Sequence, residues 1–456
     1  MAYEPYIVFG SIIAIVLGVL AFYFSWKKFE LLIVLFTLSS WVASAFYANA
    51  AEWISDVIAT GPGGYIRGVM LLFVGLLGLI TYIKRIPEHK GKISIHLIVL
   101  FLFLLFSFAS TFYSIDSSTT FIRTSLFIAL FFFLLGLSSW LDSEENFKIL
   151  MNTLFNVIVF LLVVNLIALF VWPSRAWWWN TSSRLIGLWS HPNELGGFSM
   201  IAYPIILWKL YATKGNAKYL VYVTLGINFL LHVLSGSRTS LLASAVGIIF
   251  WLVLQRSWVK LFALTFIFVI GGFVVTQLSL ASFGRDDGTS LFQLSERDII
   301  WEGAIILAKE KPIIGYGYAV ESKIFANQNK FETEGTFLNL NSQQPLHNGF
   351  LSIFVGGGMI GFFLWMIAIG LPILFAFTSK FSLYKIYAIA TMIPILISNI
   401  VESAITGYLS PTDVFFWIAW VVAGKLFVLE NKTEVPTKSI MDSNIFITPK
   451  DIAPNV

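Results

Sequence analysis

The stretch "RLIGLWSHPNELGG", Arg184 to Gly197, gathers an arginine, a histidine, an asparagine and a glutamate within eleven positions. The chain around it is 57% hydrophobic and only 12% charged, with five histidines in 456 residues. Arg184 offers a fixed charge to an anion, and His191 a group that can exchange a proton near neutral pH. The structural alternative is a helix start with a snorkelling arginine. Pro192 pushes His191 out of the helical region and suits the first turn of a helix, so Asn193 and Glu194 fall at a helix N-terminus. Gly196 and Gly197 allow close approach of backbone or ligand.

Three further clusters have the same character. "LHVLSGSRTSLLA" holds Arg238 in a short turn between apolar runs. An arginine so near hydrocarbon either snorkels to headgroups or faces a cavity or an anion. Gly236 and its flanking serines add backbone N–H groups that suit an anion. His232, inside the preceding run, reads as a core histidine. "LSERDIIWEGAIILAKEKPIIGYGY" has capping-box spacing from Ser295 to Asp298. Ile299, Ile300, Gly303, Ala304 and Leu307 then recur at helical spacing. This predicts an amphipathic helix on the bundle, with Arg297 in its first turn, stopping before Pro312. Glu296, Asp298 and Glu302 are the local acids that could pair with Arg297. "QQPLHNGFLSIFVGGGMIGFF" puts His347 at the mouth of a helix, where a neutral imidazole can take a proton. The alternative is an interfacial histidine capping its helix. Gly356, Gly357, Gly358 and Gly361 permit close helix packing.

Other signals are weaker. Trp177, Trp178 and Trp179 read as a sugar-stacking platform or as an interfacial belt. Glu402 is either a functional carboxylate or an ordinary loop residue. Arg67 and Arg123 sit where snorkelling is the default. Gly61, Gly63 and Gly64 lack a phosphate-loop context. Cysteine is absent, which excludes disulfides and thiolate nucleophiles. With no His pair at helical spacing and no Asp-x-Asp cluster, neither a metal site nor any other cofactor is expected.

These clusters need elements to hold them. The mean hydropathy of +0.82 and a spanning length of about 20 apolar residues predict an all-α integral membrane protein, a polytopic bundle of about 12–13 transmembrane helices. The spans fall near 6–26, 29–49, 64–83, 93–111, 119–140, 147–171, 195–212, 218–235, 239–255, 258–277, 349–378, 382–400 and 413–428. The layout is membrane helices over 1–277, one large outward, periplasmic loop with amphipathic helices over 278–346, C-terminal spans over 347–428, and a disordered cytoplasmic tail over 429–456. The N-terminus, "MAYEPY", lacks a basic stretch and reads as a span that stays. Basic turns at 26–28, 84–92, 209–218, 255–260 and 379–385 fall on alternate connections and belong to the cytoplasm. The connection at 141–148 shares that side but is net acidic. All the polar clusters then share the outer side. The net charge of +4 does not point to nucleic acid.

In these residues the chain resembles the O-antigen ligase and O-antigen polymerase superfamily of bacterial envelope glycosyltransferases. Four pieces stand in the family's order: "RLIGLWSHPNELGG", "SGSRTSLLA", "RDIIWEGAIILAKEKPIIGYG" and "HNGFLSIFVGGGMIG". The resemblance runs from about residue 150 to 425. It implies metal-independent transfer of a glycan from an undecaprenyl-diphosphate-linked donor to a saccharide or lipid-linked saccharide acceptor, on the outer side of the cytoplasmic membrane. It also implies roles: Arg238 and Arg297 on the diphosphate, His347 activating the acceptor hydroxyl, and Arg184, His191, Asn348 and Trp301 around the substrate. Asn193 and Glu402, not among those matched residues, are further candidates for substrate contact. A chain-length regulator or a flippase would be a partner beside the membrane lipids. The family commonly has about twelve spans with an inward N-terminus, and the segmentation here departs from that. The His-Pro-Asn form of the first motif leans toward a polymerase. A ligase acting on lipid A-core, or transfer to protein, is the alternative. A transporter or flippase of lipid-linked sugars would show inverted repeats, broken helices and polar residues at mid-membrane.

Overall fold

The computed structural model describes residues 28–47, 62–89, 93–178, 184–263, 297–324, 345–380, 382–403, 405 and 410–433. Its helices are α1 (Phe29–Tyr47), α2 (Pro62–Lys84), α3 (Ile95–Ala109), α4 (Ser117–Trp140), α5 (Glu144–Val171), α6 (Pro192–Ala212), α7 (Lys218–Ser235), α8 (Arg238–Leu254), α9 (Arg297–Glu310), α10 (Gly349–Thr378), α11 (Leu383–Ser398) and α12 (Pro411–Thr433). Among the described residues, seven segments are long and apolar enough to cross a membrane, and three shorter apolar helices lie in α1, α8 and α11. Among the described residues there is no β-strand, only a bridge between Trp177 and Leu185.

Several helices begin where the sequence supplies a capping side chain. The Asp116 side chain accepts from Thr119 N–H at 2.9 Å to open α4, and the Asn348 side chain accepts from Leu351 N–H at 3.0 Å to open α10. His191 is extended, as the following proline requires, and its Nδ1 accepts from Asn193 N–H at 3.1 Å to cap α6. Packing follows side-chain size. Gly75, Gly78 and Gly136 bring the backbones of α2 and α4 so close that a Cβ at any of them would overlap the facing helix. At the centre stands α12, whose residues from Val414 to Ala423 are all at most 1% exposed. A helix apolar on every side belongs inside a bundle.

The spans expected from 29 to 255 and from 349 to 428 each coincide with a helix. The span at 6–26, residues 264–277 of the tenth, Glu296, Trp179 and most of the large loop lie outside the described residues. One boundary is corrected. The last helix runs to Thr433 rather than ending at 428, because Glu430 and Lys432 are helix formers and no proline intervenes before Pro436.

The glycine run of α10 does more than the close packing expected of it. Gly358 has φ 59° and ψ −163°, which interrupts the helix. The segment after α9 fills the gap. Met359 N–H donates to Pro312 O at 2.8 Å and Ile360 N–H to Ile313 O at 3.2 Å, while Tyr316 N–H donates to Val355 O at 3.1 Å and Gly317 N–H to Gly356 O at 2.9 Å. The carbonyls of Val355 and Gly356 and the N–H groups of Met359 and Ile360 are thus paired with the inserted chain. Irregular backbone inside a bundle is tolerated on those terms. Arg123, expected to snorkel, instead donates to Ala319 O at 2.6 Å and anchors the same segment.

Candidate active site

The polar clusters meet at one end of the bundle. There α6, α8, α10 and α12 begin and α7 and α11 end. The hairpin before α6 carries Arg184, held by Trp178 N–H to Arg184 O at 2.8 Å and Ile186 N–H to Ala176 O at 2.7 Å. Arg184 is 6% exposed. Its Nε donates to Ser235 O at 3.0 Å and its Nη2 to Asn193 Oδ1 at 2.8 Å. The αL residue Gly236 leaves room for that side chain, since a Cβ there would lie 3.2 Å from the Arg184 Nε. Arg184 thus joins the turn between α7 and α8 to the start of α6. Arg238 opens α8 two residues beyond this turn and is half-buried.

Glu402, in the connection from α11 to α12, is the centre of the arrangement. Its Oε1 accepts from Arg297 Nη2 at 2.8 Å and from Asn193 Nδ2 at 2.9 Å. Its Oε2 lies 3.3 Å from His347 Nδ1. Arg297 also donates from Nη1 to the carbonyl of Val401. From the α11–α12 connection, one carboxylate therefore joins residues of α6 and α9 and the residue two before α10. Burial alone would push its carboxyl up, but the hydrogen bond from His347 and the charge of Arg297 outweigh it and hold it at about 2. The connection is fixed in turn. Asn399 Oδ1 accepts from Ile405 N–H at 3.0 Å, and Gly349 N–H donates to Asn399 O at 2.8 Å. Gly349 is required there, because a Cβ would overlap the Asn399 amide.

His347 precedes α10 with φ 47°, a left-handed conformation that is uncommon for a residue bearing a Cβ. Trp301 on α9 holds the neighbouring backbone, its Nε1 donating to Leu346 O at 2.9 Å. The helix α9 is thus tied to α10 near its front by Trp301 and behind by the insertion at Gly358. Its face of Ile300, Gly303, Ala304 and Leu307 is buried, as the helical spacing predicted. His191 packs edge-on against Trp178 with ring centroids 5.1 Å apart. Burial first, and then the charge of Arg184, lower its pKa to about 3, so it is neutral at physiological pH. The Asn348 oxygen is occupied in capping α10.

Of the acids near Arg297 in sequence, Glu296 lies outside the described residues, and Asp298 and Glu302 do not hold the arginine. Asp298 and Glu302 are exposed. Glu402, weighed in the sequence as a possible loop residue, takes their place, and no local pattern singles it out. His232 is fully buried and 2.9 Å from Ser240 Oγ, in keeping with a core histidine.

Fold and site together define the class, a polytopic helical membrane protein with a charged, partly buried polar centre at one end of its bundle. Residues 223–366 match the family model described as O-antigen ligase, which supports the resemblance to the O-antigen ligase and polymerase superfamily of glycosyltransferases. The matched region holds Arg238, Arg297, Trp301, His347 and Asn348, whereas Arg184, His191, Asn193 and Glu402 lie outside it. No curated protein matches the chain.

Proposed function

We propose that the protein transfers a glycan from an undecaprenyl-diphosphate-linked donor to a saccharide acceptor in one inverting, metal-independent step at the outer face of the cytoplasmic membrane. The observation that carries this reading is the convergence of Arg297 and His347 on Glu402, beside Arg184. Orientation follows from charge: Lys84, Arg85, Lys209, Lys214, Lys218, Arg256, Lys260, Lys380 and Lys385 lie at or beyond the helix ends opposite this centre. Basic turns face the cytoplasm, so the centre faces outward.

Each group has a task suited to its chemistry. As the anomeric C–O bond breaks, negative charge grows on the diphosphate leaving group. Guanidiniums held by the fold stabilise that charge without reorganising, and the planar fork grips two oxygens at once. Arg297 is the principal cation, and Arg184 and Arg238 are further guanidiniums at this end of the bundle. The ionised carboxylate of Glu402 can only accept a hydrogen bond, so the His347 proton sits on Nδ1. Nε2 is then the acceptor for the proton of the attacking hydroxyl. Direct attack needs no covalent nucleophile.

The preferred acceptor is another lipid-linked repeat, which makes the protein a polymerase. Lipid A-core, for a ligase, and a protein hydroxyl are the alternatives. The glycan profile of a deletion strain decides between them. Loss of long chains with one repeat still on the core marks a polymerase, and polymer accumulating on its lipid carrier marks a ligase. Unchanged glycans would overturn the reading. The interruption of α10 is a feature that favours a transporter, in which broken helices line a substrate path. Here the gap is filled by Pro312 to Gly317, with its backbone hydrogen bonds satisfied, which favours a structural joint.

A further inference from the structure

In the proposed reaction Arg297 binds phosphate, yet its Nη2 already holds an anionic oxygen. Glu402 Oε1 receives Arg297 Nη2 at 2.8 Å and Asn193 Nδ2 at 2.9 Å, two donors from separate segments converging on one atom. That is the arrangement and distance of a charge-assisted phosphate contact. Arg184 stands one hydrogen bond further out, on Asn193 Oδ1 at 2.8 Å. The side chains of Arg297 and Glu402 are 17% and 23% exposed, so solvent screens the arginine only in part. Without a substrate it needs a counter-charge, and Glu402 supplies it. The other carboxylate oxygen faces a different group, His347 Nδ1 at 3.3 Å.

We propose that Glu402 is an internal stand-in for the donor's phosphate, displaced from Arg297 when the diphosphate binds and left acting on His347 alone. This rests on the diphosphate-donor reading given above. Two anions cannot share one fork without repulsion, and the diphosphate carries the larger charge. The carboxylate keeps its second contact, so displacement does not strand it. The arriving donor thereby leaves Glu402 dedicated to orienting the imidazole. Glu402 is in this sense a positioning residue that couples donor binding to readiness of the base. Its removal has opposite effects on the two halves of the reaction: donor binding tightens because a competitor is gone, and turnover falls because the imidazole loses its anchor.

The test measures binding of undecaprenyl diphosphate in detergent micelles to the full-length protein, and kcat for glycan transfer, on the same preparations. Glu402→Gln should tighten binding by about tenfold or more, since like-charge juxtaposition in a partly buried site is costly, while kcat falls by at least about tenfold. Glu402→Ala removes the competing charge and the acceptor together while leaving Arg297 and Asn193 in place, and should tighten binding likewise. It also serves if Glu402→Gln does not fold. Equal or weaker binding in the folded variants, with Arg297→Ala still weakening binding in the wild-type background, overturns the stand-in role and leaves the donor reading intact. Failure of the wild-type protein to bind the lipid saturably overturns the donor reading itself.

Discussion

His347 Nδ1 lies 3.3 Å from Glu402 Oε2, while Glu402 Oε1 accepts from Arg297 Nη2 at 2.8 Å. The same carboxylate contacts an imidazole and neutralises a guanidinium; in the proposed reaction this would link proton transfer to anion binding.

The first consequence concerns the base. General-base assistance contributes about 10²–10⁴ in rate. His347→Ala should retain binding of the lipid donor and lose turnover by a factor in that range. His347→Gln keeps a hydrogen bond to Glu402 without basicity and should be nearly as impaired. Wild-type turnover in His347→Gln, measured on purified protein, would mean that His347 only positions the acceptor.

The second concerns the arginines. Arg297 divides its two terminal nitrogens between Val401 O and Glu402. Lysine lacks the planar fork that sends one nitrogen to each acceptor, so Arg297→Lys should keep only part of the activity. Arg238→Ala should abolish transfer while the protein still reaches the membrane, and Arg238→Lys should recover a fraction. Full activity of Arg238→Ala in membrane vesicles would remove Arg238 from the anion site.

The third concerns acid. His191 is held at about 3 in the folded protein against an ordinary 6.5, by burial first and the charge of Arg184 second. The unfolded chain therefore takes up the proton first, and stability falls as pH drops from 6.5 toward 3. Glu402, at about 2 against an ordinary 4.5, acts in the same direction at lower pH, from 4.5 down to 2. His191→Asn preserves a capping acceptor for α6 and removes the titration. Its thermal midpoint in detergent should fall less steeply between pH 6.5 and 5 than that of the wild type. Parallel slopes would show that His191 does not carry this dependence.

The fourth concerns the joint in α10. A Cβ at Gly358 would overlap the Ile313 carbonyl, and its φ of +59° is unfavourable for any L side chain. Gly358→Ala should lower the thermal midpoint sharply and abolish transfer, because the joint ties the helix that begins with Arg297 to the one that follows His347. Gly370→Ala, in the same helix with nothing within 4 Å of the added Cβ, should be neutral or stabilising by up to about 1 kcal/mol. Equal behaviour of the two variants would deny the joint its role.

The fifth concerns metal. The proposed step takes its positive charge from arginines, and among the described residues no three His, Asp or Glu side chains are grouped as ligands. Transfer by purified enzyme should persist in EDTA. Strict dependence on magnesium or manganese would shift attention to Asp298 and Glu302 on the exposed side of α9.

The sequence alone determined what depends on neighbours along the chain. The spans are legible because a helix crossing hydrocarbon must satisfy its own backbone, which demands a continuous apolar run. The start of α6 is legible because Pro192 constrains His191, and the buried face of α9 because its apolar residues recur at the helical period. The candidate groups Arg184, Arg297 and His347 stand out because charge is scarce in such a chain. Only the tertiary structure decided what these groups meet. Arg297 pairs with Glu402, 105 positions away, rather than with an acid in its own helix, because packing of the Ile300 face turns the first residue of α9 toward the α11–α12 connection. The interruption at Gly358 was equally hidden. A run of glycines is compatible with an unbroken helix, and it breaks here because Pro312 to Gly317 arrives from elsewhere in the chain to satisfy the hydrogen bonds that the break exposes.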